Sequence, residues 1–230
     1  AKIGLRGRLW KRFLRGPDAS LVEELYVPAL AEAVRYDRCC SYFSSSVLAA
    51  AARGFGPLIA RLEALGAAAP KPAVRLVVNE ELAEEDVRAL TETGDVSRLE
   101  AVLKRRFKDP VDVLAKDRLA MLGWLAKRGL LEVRVGVMRR GYGIVHAKFG
   151  LVIDPTGDAI VFAGSGNESA QGLVANYERL EISTSWGDPE RHREYADEFE
   201  QLWRDEHPDV HTLPCGGRDG GGLARGPAAL

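Results

Sequence analysis

Residues 144–154 read IVHAKFGLVID, and residues 163–178 read AGSGNESAQGLVANYE. In an extended strand, side chains alternate between the two faces. His146 and Lys148 are therefore expected to project together, with Ala147, Phe149, Leu151 and Ile153 facing the other way as core. Taken alone, this is an amphipathic strand whose polar face meets solvent. The next apolar run, AIVFAG, leads into Gly164-Ser165-Gly166-Asn167. Gly164 and Gly166 permit close backbone approach, so this loop can offer N–H groups and an amide to an anion. Taken alone, it is a plain turn. Glu178 opens the following run and, alone, is a strand-edge carboxylate.

Outward from these stretches, the chain divides by pattern. Asp18 and Ser20 can cap a helix through LVEELYVPALAEAVR, whose apolar residues recur at helical spacing. DRCCSYF reads as a short strand, Ser44–Ser46 as the cap of the Ala-rich helix VLAAAARGFGPLIARLEAL, and VRLVVN (74–79) as a buried strand. EEDVRALTET, SRLEAVLKRRF and VDVLAKDRLAMLGWLAKRG are expected as three successive helices. LEVRVGVM, IVHAKFGLVID, AIVFAG and RLEISTSW are four strands with short turns, and PERHREYADEFEQLWRDE is a closing helix. This alternation predicts an α/β layered domain, a mixed β-sheet flanked by helices. The expected boundaries are a basic N-terminal segment (1–17), the domain (18–212) and a flexible Gly-rich tail (213–230).

The chain has 230 residues, 46% of them hydrophobic, and a net charge of −1. A surface that is cationic throughout is excluded, so any nucleic-acid footprint must be local. Arg53 and Arg61 interrupt the Ala-rich stretch, and no apolar run reaches the roughly 18 residues of a membrane span. No h-region and cleavage site follow the basic N-terminus, and three cysteines, two of them adjacent (Cys39 and Cys40), cannot build a disulfide framework; the cytoplasm is the expected compartment. His207, His211 and Cys215 are spaced like metal ligands, but Pro208 and Pro214 break the helix that would align them and a fourth ligand is missing. They read as tail residues, and no metal or cofactor is expected.

Jointly, an imidazole, an ammonium, an amide and a carboxylate in this order suit phosphodiester chemistry. The imidazole attacks phosphorus, the cation and amide neutralise the non-bridging oxygens, and the carboxylate orients the imidazole. His146-Ala147-Lys148, Gly164-Ser165-Gly166-Asn167 and Asn176-Tyr177-Glu178 resemble the phospholipase D superfamily, whose pattern is H-x-K-x4-D, then G-S-x-N, then a downstream Glu in its nuclease members. The family's Asp would fall on Ile153; this chain has Asp154 one position later, where a structural role is expected. The resemblance spans about residues 18–212. It is nearest to the single-motif modules fused or adjacent to bacterial helicases and restriction enzymes, in which phrases like YFSSSVL and GSGNESAQGL also occur.

The resemblance implies a phospholipase D-like phosphodiesterase without metal. His146 would be the nucleophile, or the general acid in the opposite subunit. Lys148 and Asn167 would bind phosphate oxygens with Ser165 assisting, and Glu178 would hold the histidine. The other histidines, His192, His207 and His211, are not followed by x-Lys, so a second motif must come from a homodimer. The implied substrate is nucleic acid, DNA first, in a bacterial defence or helicase-associated setting. The alternatives are a nucleic-acid-binding and dimerisation module serving a partner helicase, and a phospholipid phosphodiesterase. Arg139 and Arg140 in MRRGYG precede the His-Lys strand and are candidate substrate contacts, or a solvated turn. The first sixteen residues carry six Lys or Arg and no acid, with Trp10 and Phe13 interleaved, a pattern suited to a nucleic-acid backbone and equally to an anionic membrane or a partner protein. Lys104, Arg105, Arg106 and Lys108 form a second basic cluster, read as a solvated helix end.

Overall fold

Strand β5 (Phe149–Ile153) lies inside an eight-stranded sheet and is buried on both faces. The computed structural model describes residues 4–16, 21–40, 45–79, 125–140, 145–164 and 178–214. Within them the chain forms β1 (Phe13–Gly16), a π-helical turn (Val22–Tyr26) running into α1 (Val27–Glu32), β2 (Arg35–Cys40), α2 (Ser45–Leu65), β3 (Val74–Asn79), β4 (Leu131–Met138), β5, β6 (Ala159–Gly164), β7 (Glu178–Thr184), α3 (Pro189–Trp203) and β8 (Val210–Pro214). The strand order is β1-β7-β6-β5-β2-β3-β4-β8. β2, β3 and β4 run parallel; every other pairing is antiparallel. The expected layered α/β architecture is observed. Two of the three helices expected between β3 and β4, and most of the third, lie outside the described residues.

Alternation along each strand assigns the two faces. Leu14, Tyr36, Val74, Leu76, Val78, Val152, Phe162, Leu180 and Ile182 pack with α1 and α2 in the larger core. Cys39, Val77, Phe149, Leu151 and Val161 pack under Phe199, Leu202 and Trp203 of α3. Each such side chain, fully buried, contributes about 1.5–3 kcal/mol. Gly150 is the exception the packing requires: a Cβ there would stand 2.5 Å from Phe162 Cζ and 3.1 Å from Arg38 Cδ. Its absence lets the Arg38 guanidinium, 1% exposed, stack 5.0 Å from the Phe162 ring.

The α3 face also holds a buried ionic group that hydropathy does not reveal. Arg75 donates two hydrogen bonds to Asp37 (2.6 and 2.7 Å) and one to Glu200 (2.6 Å). The same guanidinium lies 4.9 Å from the Phe199 ring and 5.3 Å from Trp203. Arg75 therefore ties β2 and β3 to α3 through charge and ring contacts together. Asp188 caps α3 by accepting from the Arg191 amide at 3.1 Å, and Asp205, in left-handed backbone at φ 61°, follows its end.

The basic N-terminal segment, expected to stand apart from the domain, supplies strand β1 to the sheet. Its clasp explains Asp154, which is 2% exposed. One carboxylate oxygen accepts from the Leu5 amide (2.9 Å); the other accepts from the Thr156 amide (2.8 Å), the Thr156 hydroxyl (2.7 Å) and the Asp158 amide (3.1 Å). Arg6 adds a bidentate pair to Asp158 (3.0 and 2.7 Å). Asp154 thus fastens the β5–β6 turn to the chain's N-terminal arm, which accounts for an acid one position later than the motif has it. At the other end, β8 carries His211 and reaches Pro214; residues 215–230 lie outside the described residues.

Candidate active site

One row crosses the sheet at the end where β2, β3 and β6 finish and β5 and β7 begin. Val78 pairs with Cys40, Phe149 pairs with both Cys39 and Ala163, and Gly164 pairs with Leu180, which pairs with Leu14. The row is completed by a hydrogen bond from the Gly164 amide to the Lys148 carbonyl, 3.2 Å, which carries the β5–β6 ladder one residue past the strand. The carboxyl ends of parallel strands are where open α/β sheets place ligands.

The His-Lys segment itself is not strand. β5 begins at Phe149, and residues 145–148 lead into it without regular structure. Val145 is buried and Ala147 packs against the α3-side core, His146 is exposed, and Lys148, like Ala147, is partly buried. The expected apolar set is placed as read for Ala147, Phe149 and Leu151. Lys148 is close enough to the end of β2 to act on Cys40: burial raises that thiol's pKa, and the charges of Arg38 and Lys148 oppose the rise.

Gly164 has a constraint that the sequence pattern does not contain. A Cβ there would stand 2.0 Å from the Arg179 carbonyl oxygen, so β6 and β7 can pair at this level only with glycine at 164. Ser165, Gly166 and Asn167 lie outside the described residues. Glu178 is the first residue of β7, paired with Gly16. Gly164, beside Lys148, and Glu178 thus lie at the ends of the adjacent strands β6 and β7.

Of the two candidate arginines, Arg139 is engaged elsewhere. It donates to Asp205 Oδ1 (2.6 Å) and to the carbonyls of Asp205 (2.6 Å), His207 (2.9 Å) and Val210 (3.1 Å), and so clamps the α3–β8 loop to the end of β4. Arg140 is exposed. His211 Nδ1 lies 2.8 Å from both Asp205 oxygens, and the His207 ring accepts from the Asp209 amide (3.2 Å). Among the described residues, no three His, Cys, Asp or Glu side chains are grouped to hold a metal ion, and no helix is long and apolar enough to cross a membrane. Sequence reading missed buried Arg38 and Arg75. A signal was present for Arg75, the one charged residue in the β-branched run VRLVVN; Arg38 sits in RYDRCC, where two further charges hide it.

The model of the family described as cardiolipin synthase, PLD-like domain, matches residues 30–203. No curated sequence matches the chain. Among solved structures, NucT from Helicobacter pylori is 16% identical, with a TM-score of 0.48 over 86% of this chain and 99% of its own. A phospholipase D family member, Nuc from Salmonella typhimurium, is 14% identical, with a TM-score of 0.46 over 86% of this chain and 95% of its own. Phosphatidylserine synthase from Haemophilus influenzae is 14% identical, with a TM-score of 0.44 over 87% of this chain and 39% of its own. With the family model spanning both the sheet core and the His146–Lys148 segment, the chain belongs to the phospholipase D-like family.

Proposed function

We propose that this chain is a nuclease: a phosphodiesterase that cleaves nucleic acid, DNA first, through a phosphohistidine at a site shared by two copies. The observation that carries the reading is the hydrogen bond that sets Lys148 beside Gly164, with His146 exposed two residues before it. An exposed imidazole beside an ammonium, next to the glycine that opens a Gly-Ser-Gly-Asn loop, is suited to holding and attacking a phosphodiester.

The proposed reaction has two displacements. An imidazole nitrogen of His146 attacks phosphorus, the P–N bond forms, and the P–O bond to the leaving nucleoside breaks. Lys148 and Asn167, with Ser165, neutralise the non-bridging oxygens, and Glu178 holds the imidazole in the attacking tautomer. The leaving oxygen takes a proton from the second imidazole, His146 of the other copy. That imidazole, now neutral, takes a proton from water as the water oxygen attacks phosphorus, and the P–N bond breaks to regenerate the enzyme. Each chain carries a single His-x-Lys, so one chain provides half of this site and a two-fold dimer provides both halves. The charge compensation falls to Lys148 and the loop, which is why the proposed reaction runs in EDTA. A defence or helicase-associated setting fits the motif phrases around residues 42–48 and 164–178.

The test is cleavage of DNA in EDTA by the native chain and by His146→Ala, with DNA binding measured alongside. Loss of cleavage with retained binding supports the reading. Undiminished cleavage by His146→Ala, or a strict metal requirement, contradicts it.

A further inference from the structure

We infer that the β1–β7 edge carries a binding groove for a single nucleic-acid strand, separate from the His146 site, with Phe13 as the surface on which an unpaired base stacks. The inference rests on the nuclease reading for where that strand leads. A groove of about 570 Å³ runs along this edge between β1, β7 and the start of α3, with four cations (Lys11, Arg12, Arg179, Arg191), two carboxylates (Glu181, Asp188) and Phe13 in its walls. Phe13 is 49% exposed, and only Leu9 joins it as an exposed large hydrophobic among the described residues. The Arg179 guanidinium lies 5.5 Å from the Phe13 ring centroid. Arg179 and Arg191 both pair with one carboxylate, Glu181, at 3.5 and 3.0 Å, so two cations share one anion. Arg12, just before β1, and Arg15, on it, are exposed as well.

Several cations around a half-exposed aromatic ring match a polyanion that carries flat rings, since stacking on an aromatic side chain needs a base free of its partner. The groove also has a direction. Its lining reaches Arg179, whose carbonyl packs against Gly164, and Gly164 is bonded to Lys148, so one end of the groove lies towards the His146–Lys148 segment. Other occupants fit less well. Two β1 edges paired with each other would bring their own Lys11, Arg12 and Arg15 together, the arrangement by which edge strands resist self-association. A bilayer takes a protruding apolar surface, whereas Phe13 lines a concavity with a guanidinium beside its ring.

The test measures binding of a fluorescent single-stranded oligonucleotide of about 12 nucleotides to the full chain carrying His146→Ala, in EDTA. Phe13→Ala is expected to weaken binding about 5- to 100-fold while Phe13→Trp retains it, and Arg179→Ala to lower the salt slope by about one. Circular dichroism confirms that each variant is folded. Unchanged affinity in Phe13→Ala overturns the groove. So does an equal loss in Phe13→Trp, a loss that tracks dissociation of a dimer, or a loss confined to anionic phosphatidylglycerol vesicles. Cleavage of bis(p-nitrophenyl) phosphate by the native chain separates the two ideas. A chain that cleaves this small diester but binds the oligonucleotide without regard to Phe13 keeps the nuclease reading and loses the groove. Phe13-dependent binding by a native chain that cleaves neither substrate does the reverse.

Discussion

The Gly164 amide donates to the Lys148 carbonyl at 3.2 Å, and the same glycine sits where a Cβ would be 2.0 Å from the Arg179 carbonyl oxygen. One residue without a side chain therefore sets three strands at once: the approach to β5, the end of β6 and the start of β7. Gly164→Ala is expected to push β7 from β6 and cost about 1–3 kcal/mol or more. Urea unfolding measures the stability. On the proposed function, turnover of a phosphodiester is expected to fall further than stability alone explains, because Gly164 is also bonded to the Lys148 carbonyl.

The Arg75 group is a second target, far from His146 in sequence and distinct from the chemistry. Arg75 and Asp37 are nearly inaccessible, with side chains 7% and 3% exposed. Asp37→Ala leaves Arg75 buried with only Glu200 as carboxylate partner, and is expected to cost about 3–5 kcal/mol. Replacing both with apolar residues, Asp37→Leu with Arg75→Met, is expected to recover much of that loss. Chemical denaturation of the single and double variants tests this. A double variant as unstable as the sum of the singles contradicts it.

Asp205 gives a pH dependence with a defined sign. Burial raises its pKa, but the Thr212 amide and the charges of His211 and Arg139 outweigh burial, and the carboxyl is held below its ordinary value of 3.8. In the window from just above 3.8 down through the folded pKa, the unfolded chain binds more protons than the folded one. Stability from this group is thus fully present above the ordinary carboxylate range and lost as pH falls through the folded value. Asp205→Asn keeps a residue that tolerates left-handed backbone and removes the titration. Its stability is expected to be lower at pH 7 and to fall less steeply between about pH 5 and 3, read from urea midpoints across that range. Identical slopes in both proteins would remove Asp205 from the account.

Lys148→Ala is expected to reduce turnover of a phosphodiester about 10²- to 10³-fold, the cost of removing one preorganised charge from a developing negative centre. Lys148→Arg keeps the charge with a different reach and is expected to lie between. Steady-state kinetics on a small diester check both, and equal activity in Lys148→Ala would place the charge elsewhere.

Much of the sheet was legible because its strands obey simple periodicity. VRLVVN and LEVRVGVM form β3 and β4 at the bounds expected of them, and AIVFAG forms β6. The edges were harder. FLRG, the end of the basic arm, becomes a strand only through its partner β7, a non-local pairing that no local pattern announces. IVHAKFGLVID suggests strand throughout, yet pairing that meets the strand criteria begins at Phe149. Helix α3 stops at Trp203, short of the charged run's end, because Asp205 turns into left-handed backbone to meet Thr212 and His211. The motif order of His146, Lys148, Gly164 and Glu178 was readable, and the sheet register brings Lys148 next to Gly164 and Gly164 next to the start of β7. The use of Arg139 as a loop clamp was not readable, since three of its four acceptors are carbonyl groups, which carry no sequence identity, and the fourth, Asp205 Oδ1, is 66 residues away.

The central claim is that His146 becomes bonded to phosphorus during turnover. Native protein is mixed with DNA in EDTA, quenched in alkali, where a phosphohistidine survives, and analysed by peptide mass spectrometry alongside His146→Ala. The account predicts a phosphorylated or nucleotidylated peptide containing His146, absent from the variant. Active cleavage in EDTA with no adduct on His146, or an adduct on another residue, would contradict it.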